Sequence, residues 1–331
     1  MNMDKNILVT LDCGKANTKI AIANNKNSKV SLKTYSTRVM EISPDFEKSG
    51  KNTSVVEYDG KRYLVGSLDD EAVSDLVHNT KLDDIHMTMA RFAIAENVDN
   101  DAEISVIINC PYEEGKSKEK RNEYANSFLP TGEYAIKVDD KVKTFKIAFV
   151  GIVPEALAAK RYLKNLNSKH DLGIIDIGGL NSTYAFFKKA DERIESKCGF
   201  TRNGIVKLAS KLQEPLQSAC DNEGFPIDDI LEGIKEGVMY GYEEETSSII
   251  TSYLNALFDE IIKDCQKKLW DFKTTDLVFI GGGSIVLKDI IAKKFPQAHI
   301  EENSEYINVL GNMVMLRSKY GLGENFEIEI K

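Results

Sequence analysis

Two stretches of this sequence share one plan. In LVTLDCGKANTKIAIA (Leu8–Ala23) an apolar run ends at Asp12, turns through Gly14, Lys15 and Asn17, and gives way to a second apolar run. In IIDIGGLNSTYAFF (Ile174–Phe187) the same order returns, with Asp176 at the end of the first run and Gly178, Gly179 and Asn181 in the turn. Apolar runs of this length, bounded by glycine and asparagine, predict β-hairpins. Each copy opens a block in which strands and helices alternate, which predicts an α/β chain built from two similar domains. Two such domains facing each other across a cleft would bring both turns to one ligand.

A hairpin needs glycine or asparagine in its turn, but not an aspartate at its mouth or lysines around it. Successive backbone N–H groups in a tight glycine turn form a concave nest for an anion. The first turn adds Lys15 and Lys19 to Gly14 and Asn17, and the second sets Asn181 and Ser182 beside Gly178 and Gly179. Asp12 and Asp176 would repel a phosphate unless a cation lay between them. Mg²⁺ retains several waters and takes few protein carboxylates, so the two aspartates suit its water shell. Read singly, each turn is equally a structural hairpin. A third turn, GGGS (Gly281, Gly282, Gly283 and Ser284), follows an apolar strand and opens a helix, a position where a ligand can approach backbone.

With 43 basic against 52 acidic residues the net charge is −9, which weighs against direct binding to nucleic acid or to an anionic membrane surface. No apolar run approaches the roughly 20 residues that span a bilayer, and MNMDKN lacks a signal-peptide core. The reading is a cytoplasmic protein. Its five cysteines are scattered without CxxC spacing and read as thiols in a reducing compartment. His78 and His86 lie near Asp83 and Asp84, a group that reads as an exposed helix start rather than a metal site.

Between the repeats, strands are predicted over Val30–Arg38, Ser54–Val65 and Glu103–Pro111, with a polar loop at EISPDFEKSGKN and a helix over Asp83–Asn97. VPEALAAKRYLKNL reads as a helix with Pro154 at its first position. Glu155 then falls in the first helical turn, where the helix dipole favours an acid; the same carboxylate could orient a water for attack on a phosphoryl group. The stretch Asn203–Trp270 reads as helical with breaks near Pro215 and NEGFPID, and Asn303–Gly321 as a final helix capped by Ser304.

LDCGKANTK, VPEALAAKRYL, IDIGGLNST, FIGGGSIVL and INVLGNMVML resemble, in order, the first phosphate, first connecting, second phosphate, adenosine and second connecting motifs of the actin, Hsp70 and sugar kinase superfamily. YLVGS, VIINCPYEEG and IVPEALAA are similar to the ParM-type plasmid-segregating actins within it. The resemblance implies an actin-like fold of two RNase H-like lobes with the nucleotide in the cleft between them. Lobe I would comprise residues 1–153 and 309–331, with an insertion at about 30–100. Lobe II would comprise 154–308, with an insertion at about 203–273. It implies ATP or GTP with Mg²⁺, head-to-tail filaments, and plasmid movement through a ParR-type DNA-binding adaptor. By motif position Asp12 and Asp176 would organise the Mg²⁺ waters and Glu155 would position the attacking water. Gly14, Lys15, Asn17, Lys19, Gly178, Gly179 and Asn181 would surround the phosphates, and Gly281–Ser284 would meet the nucleoside. Lys15 stands where many actins carry a small hydroxyl residue, and Leu180 where relatives often have glycine or threonine. Lys207 and Lys211 are candidates for the base, or plain exposed helix lysines. The alternatives are a small-molecule kinase of the same superfamily and another structural bacterial, phage or archaeal actin.

Overall fold

The computed structural model describes residues 6–24, 28–46, 52–66, 82–163, 169–221 and 223–331. The chain divides into two compact units, Met1–Leu163 with Asn308–Lys331, and Lys164–Ile307.

In the first unit β1 (Asn6–Cys13) and β2 (Asn17–Asn24) form the predicted hairpin, with Asp12 opposite Lys19 and Cys13 opposite Thr18. β3 (Lys29–Ser36) adds to β2, and the short β4 (Val39–Glu41) follows it. β5 (Thr53–Tyr58) and β6 (Lys61–Gly66) are joined by Asp59 and Gly60, both at positive φ, as an Asp-Gly hairpin turn requires. The predicted polar loop is interrupted: β4 enters it at Glu41, and residues 47–51 lie outside the described residues, as do Ser67 of YLVGS and His78.

α1 (Asp84–Asn97) is capped by Asp83, whose carboxylate accepts the His86 N–H at 2.9 Å. This is the expected helix start, but His86 is buried rather than exposed, because its ring turns back onto Asp83, with Nδ1 2.6 Å from Oδ1. β7 (Ala102–Cys110) and β9 (Lys141–Pro154) run parallel to β1 on its far side. α2 (Lys118–Phe128) lies between them in sequence, and β8 (Gly132–Val138) hairpins into β9. Val9, Leu11, Ile20, Met89, Phe92, Ile104, Val106 and Phe128 share one core.

Pro154 departs from its predicted place. It ends β9, a position where proline has no ladder bond to give up, and the chain turns through Glu155–Ala158 before α3 (Ala159–Tyr162). Glu155 therefore lies in a strand-to-helix turn and not in a helical first turn.

The second unit repeats the plan. β10 (Asp171–Ile177) and β11 (Ser182–Lys188) form the hairpin, with Asp176 opposite Thr183. β12 (Glu192–Arg193) and β13 (Gly199–Thr201) both pair with β11. α4 (Ile205–Ala219), α5 (Ile227–Glu236) and α6 (Glu243–Lys267) follow. The predicted break near Pro215 does not occur: α4 passes through it. Leu208, Leu212 and Leu216 are buried at helical spacing on either side, and that packing outweighs one missing backbone bond. β14 (Thr275–Ile280) runs parallel to β10 and leads into α7 (Gly282–Val286) and α8 (Lys288–Lys294), and β15 (His299–Ile300) completes the sheet. Trp270 covers β10 at Gly173, where a Cβ would lie 2.3 Å from the indole.

α9 (Ile307–Lys319) returns the chain to the first unit, and β16 (Glu327–Ile330) adds a parallel edge strand to β3. The first sheet is thus ordered β16-β3-β2-β1-β7-β9-β8-β5-β6-β4 and the second β12-β11-β10-β14-β15. Each contains an antiparallel hairpin whose first strand heads a parallel trio, β1-β7-β9 or β10-β14-β15. The sequence repeat is therefore a repeat of topology.

All five cysteines are buried thiols. Burial pushes Cys198, Cys265 and Tyr184 up, and Tyr134 up to about 12. A group raised in the folded state contributes fully below its unfolded value and loses that contribution as pH rises. The urea midpoint is expected to hold from pH 7 to about 8.5 and to fall above about 9, where unfolded thiols begin to ionise. A midpoint constant to about pH 10.5 would contradict this. A thiol-specific reagent at pH 8 should leave the native protein unlabelled and label all five cysteines in denaturant.

Candidate functional site

In the first unit the candidate residues gather at the carboxyl ends of parallel strands. Asp12 is the last residue but one of β1, Cys110 closes the neighbouring β7, and Glu155 follows Pro154 at the end of β9, which pairs with Cys110. In open α/β sheets this edge is where ligands bind. Asp12 and Glu155 are each 8% exposed, so both carboxylates are largely withdrawn from water. Lys15 and Lys19 are half-buried, and Asn17 is exposed at the start of β2.

The first turn is tight. A Cβ on Gly14 would lie 2.6 Å from the Asn17 carbonyl oxygen. Thr37, just past β3, fixes its carbonyls: the hydroxyl donates to Gly14 O at 2.7 Å and the N–H to Ala16 O at 2.9 Å. In a planar trans peptide N–H and C=O point opposite ways, so the Lys15 N–H is turned away from Thr37. Thr37 was missed because a lone threonine after a strand carries no signal in the sequence.

The second turn repeats this construction with other parts. A Cβ on Gly178 would lie 2.9 Å from the Asn181 carbonyl oxygen, matching Gly14 and Asn17 in spacing and in kind. Here the first amides of α4 hold the carbonyls, Ile205 N–H to Gly178 O at 3.1 Å and Val206 N–H to Gly179 O at 2.8 Å. The Gly179 and Leu180 N–H groups are thereby aimed to the other side. Gly204 lets α4 come this close: a Cβ there would lie 2.4 Å from Gly179 O.

The third turn meets the second inside the same unit. Gly281 sits at φ +83°, and a Cβ on it would lie 2.4 Å from Asp176 Oδ1 and 2.6 Å from Ile177 O. Gly283 packs on Ile177 with a corresponding gap of 2.4 Å. Gly282 has nothing within 4 Å of its Cβ direction. Ser304, expected to cap the last helix, does something else. It is buried, its hydroxyl lies 2.8 Å from the Ser284 hydroxyl and donates to Gly281 O, and its carbonyl accepts the Gly281 N–H at 3.0 Å. Ser304 opens a short 3-10 turn, Ser304–Tyr306, that precedes α9, and the residue before that turn, Asn303, makes no side-chain capping bond.

The Glu155 turn is supported from below. Glu155 N–H donates to Cys110 O at 3.0 Å, and Ala156, at φ +64°, donates its N–H to Asn308 Oδ1 at 3.1 Å. Gly311 of α9 packs so closely that a Cβ would lie 2.0 Å from Ala158 O. A non-glycine residue in the left-handed region costs about 1 kcal/mol and persists only where its surroundings hold it.

Beside the second turn lies a cavity of ≈ 180 Å³ between α4 and α6, lined by Asn203, Gly204, Lys207, Lys211, Tyr253 and Glu260 among others. Lys207 Nζ reaches back to Arg202 O at 2.8 Å, and both lysines are exposed. Among the described residues no three His, Cys, Asp or Glu side chains converge as a metal cage. Among the same residues no helix is long and apolar enough to cross a membrane.

Residues 10–157 match the family described as "Actin like proteins N terminal domain". Among solved structures the chain is similar to the Alp12 filament structure (23% identity, 96% of this chain and 99% of the other, TM-score 0.70). It is similar to the archaeal actin homolog Ta0583 in complex with ADP (16% identity, 95% and 99%, TM-score 0.73). A 15-stranded ParM filament from Clostridium botulinum aligns likewise (17% identity, 95% and 99%, TM-score 0.75). Comparison with curated protein sequences gives no match. The fold is actin-like.

Proposed function

We propose that this chain, whose fold is actin-like and whose residues 10–157 match the actin-like N-terminal family, binds ATP or GTP, polymerises head to tail, and hydrolyses the nucleotide to let the filament turn over. The observation that carries this reading is the pair of matched turns. Each follows an aspartate at the end of a central strand, and each is closed by a glycine against an asparagine carbonyl three residues on. A hairpin alone needs one glycine; two turns built from different supports toward the same amide geometry suit two contacts on a polyphosphate.

In this reading Gly14, Lys15, Asn17 and Lys19 meet the phosphates from one turn, and Gly178, Gly179 and Asn181 from the other. Lys15 replaces a hydroxyl contact by a charge, which strengthens the grip on a more highly charged phosphate chain. Gly281–Ser284 and the cavity beside Lys207 and Lys211 receive the nucleoside. Asp12 and Asp176 would hold Mg²⁺ through its water shell, and the ion would neutralise phosphate charge during transfer. The buried Glu155 carboxylate accepts a hydrogen bond from the attacking water and orients it. The known structures that support self-association are filaments, those of Alp12 and of the Clostridium botulinum ParM. Plasmid DNA as cargo, moved through a ParR-type adaptor, fits a chain whose net charge of −9 opposes direct DNA binding.

The test is sedimentation of the purified chain with Mg²⁺ and ATP, GTP or neither, with phosphate release followed in the same samples. Pelleting that needs nucleotide and decays as phosphate accumulates is the expected result, and the more effective nucleotide names the base. A chain that stays soluble with either nucleotide, but phosphorylates a small hydroxyl compound, would replace this reading with a kinase.

A further inference from the structure

Among the described residues the two most exposed large apolar side chains are Tyr240, at 95%, and Leu269, at 79%. They flank the two ends of one helix. Tyr240 lies three residues before α6 and Leu269 two residues after it. At about 1.5 Å per residue, the 25 residues of α6 set them roughly 37 Å apart, at opposite poles of the second unit.

Neither residue is loosely held. Tyr240 sits in a stapled turn between Gly237 and Gly241, both at positive φ. The preceding Met239 is buried, with its sulfur against Gly233, and its N–H donates to Thr246 Oγ1 at 2.9 Å. The Tyr242 N–H returns to Met239 O at 3.0 Å. The turn thus presents an aromatic side chain on a rigid backbone, the property of an interface anchor. Leu269 occupies the left-handed position just past the helix end, at φ +61°, with its N–H on Gln266 O at 2.9 Å. Glycine or asparagine is the usual occupant there. The chain instead keeps a leucine that is both exposed and strained by about 1 kcal/mol.

The poles differ in charge. Around Tyr240, residues Glu232–Glu245 carry five acids against Lys235 alone. Around Leu269, the matching stretch of residues 261–274 carries Lys263, Lys267, Lys268 and Lys273 against Asp264 and Asp271. Each pole is therefore complementary to the other and not to itself. A contact of this kind is heterologous, and it builds an open filament when its rotation does not close a ring.

We infer that the acidic Tyr240 pole of one copy docks on the basic Leu269 pole of the next, so that α6 runs from one longitudinal contact to the following one. The inference rests on the filament reading and adds its contact surface.

The experiment uses the full chain with Mg²⁺ and the nucleotide that supports pelleting. Tyr240→Ser and Leu269→Asn are each expected to raise the critical concentration at least about tenfold, since anchor residues carry most of an interface's energy. Neither lies among the proposed nucleotide contacts, so nucleotide affinity should be unchanged. Leu269→Asn should hold or raise the melting temperature, because asparagine suits the left-handed position, which separates lost assembly from lost folding. A chain carrying both Tyr240→Cys and Leu269→Cys should give an oxidised ladder of dimers, trimers and longer species in nucleotide, and either cysteine alone should not. If the wild type pellets and both single variants pellet at its critical concentration, this contact is overturned while the filament reading stands. If the wild type pellets with neither nucleotide, the filament reading fails and takes this contact with it.

Discussion

Glu155→Gln is expected to slow phosphate release by about 10²–10⁴-fold, the range associated with removing a general base, or roughly 3–5 kcal/mol of barrier. Nucleotide affinity and the pelleted fraction should stay within a few-fold of the wild type, and the filaments should persist after the wild-type sample has cleared. The substitution suits the site. Glutamine keeps the volume of a side chain that is 8% exposed, so no cavity opens. The turn around it is held by backbone and by α9, through Cys110 O, Asn308 Oδ1 and Gly311, none of which depends on the carboxylate charge. Phosphate release within about threefold of wild type would leave Glu155 as a structural acid and move the search for the water-orienting group elsewhere at the ends of β1, β7 and β9.

The same turn shows how far sequence can be read. The hairpins at Asp12 and Asp176 were legible because their signal is local: apolar runs, a glycine, an asparagine, a short span. The Asp83 helix start was legible for the same reason. The misreadings share a different cause. Proline is equally at home at the first position of a helix and at the end of a strand, and what decides for Pro154 is the pairing of β9 with β7 at Cys110. Serine is equally a cap and a buried tie, and what decides for Ser304 is the glycine turn at Gly281, 23 residues earlier in sequence. Pro215 should break a helix, but leucines packed at its flanks keep α4 continuous. Thr37 and Asn308 support the site through contacts with Gly14 and Ala156 that no window of sequence contains. The local turns of the candidate site were thus readable, and the residues that hold those turns in place were not.

The glycines of the third turn allow the fold to be separated from the ligand. Gly281→Ala is expected to cost unit 2 about 2–4 kcal/mol and to reduce nucleotide affinity at least about 100-fold. Two effects combine there. The position has φ +83°, which side chains rarely adopt, and the added Cβ would stand 2.4 Å from Asp176 Oδ1 and 2.6 Å from Ile177 O. The carboxylate can rotate away, but the backbone oxygen belongs to β10 and cannot, so Asp176 and the second turn would be displaced together. Gly282→Ala is the matched comparison. Its Cβ meets nothing within 4 Å, and its φ lies outside the left-handed region, so the fold has no use for a glycine there. Thermal unfolding of Gly282→Ala should match the wild type within about 1 °C, because alanine is if anything the better helix residue. Its nucleotide affinity should nevertheless fall, since a glycine that the protein does not need is explained by a ligand that approaches the backbone. Isothermal titration and melting curves on the two variants decide the matter. Unchanged affinity in Gly282→Ala would remove the third turn from the nucleoside contacts and leave the Lys207 cavity to receive it. A Gly281→Ala protein as stable as wild type would show that β10 yields at Ile177, and the close packing of the second and third turns would then no longer explain why Asp176 is fixed.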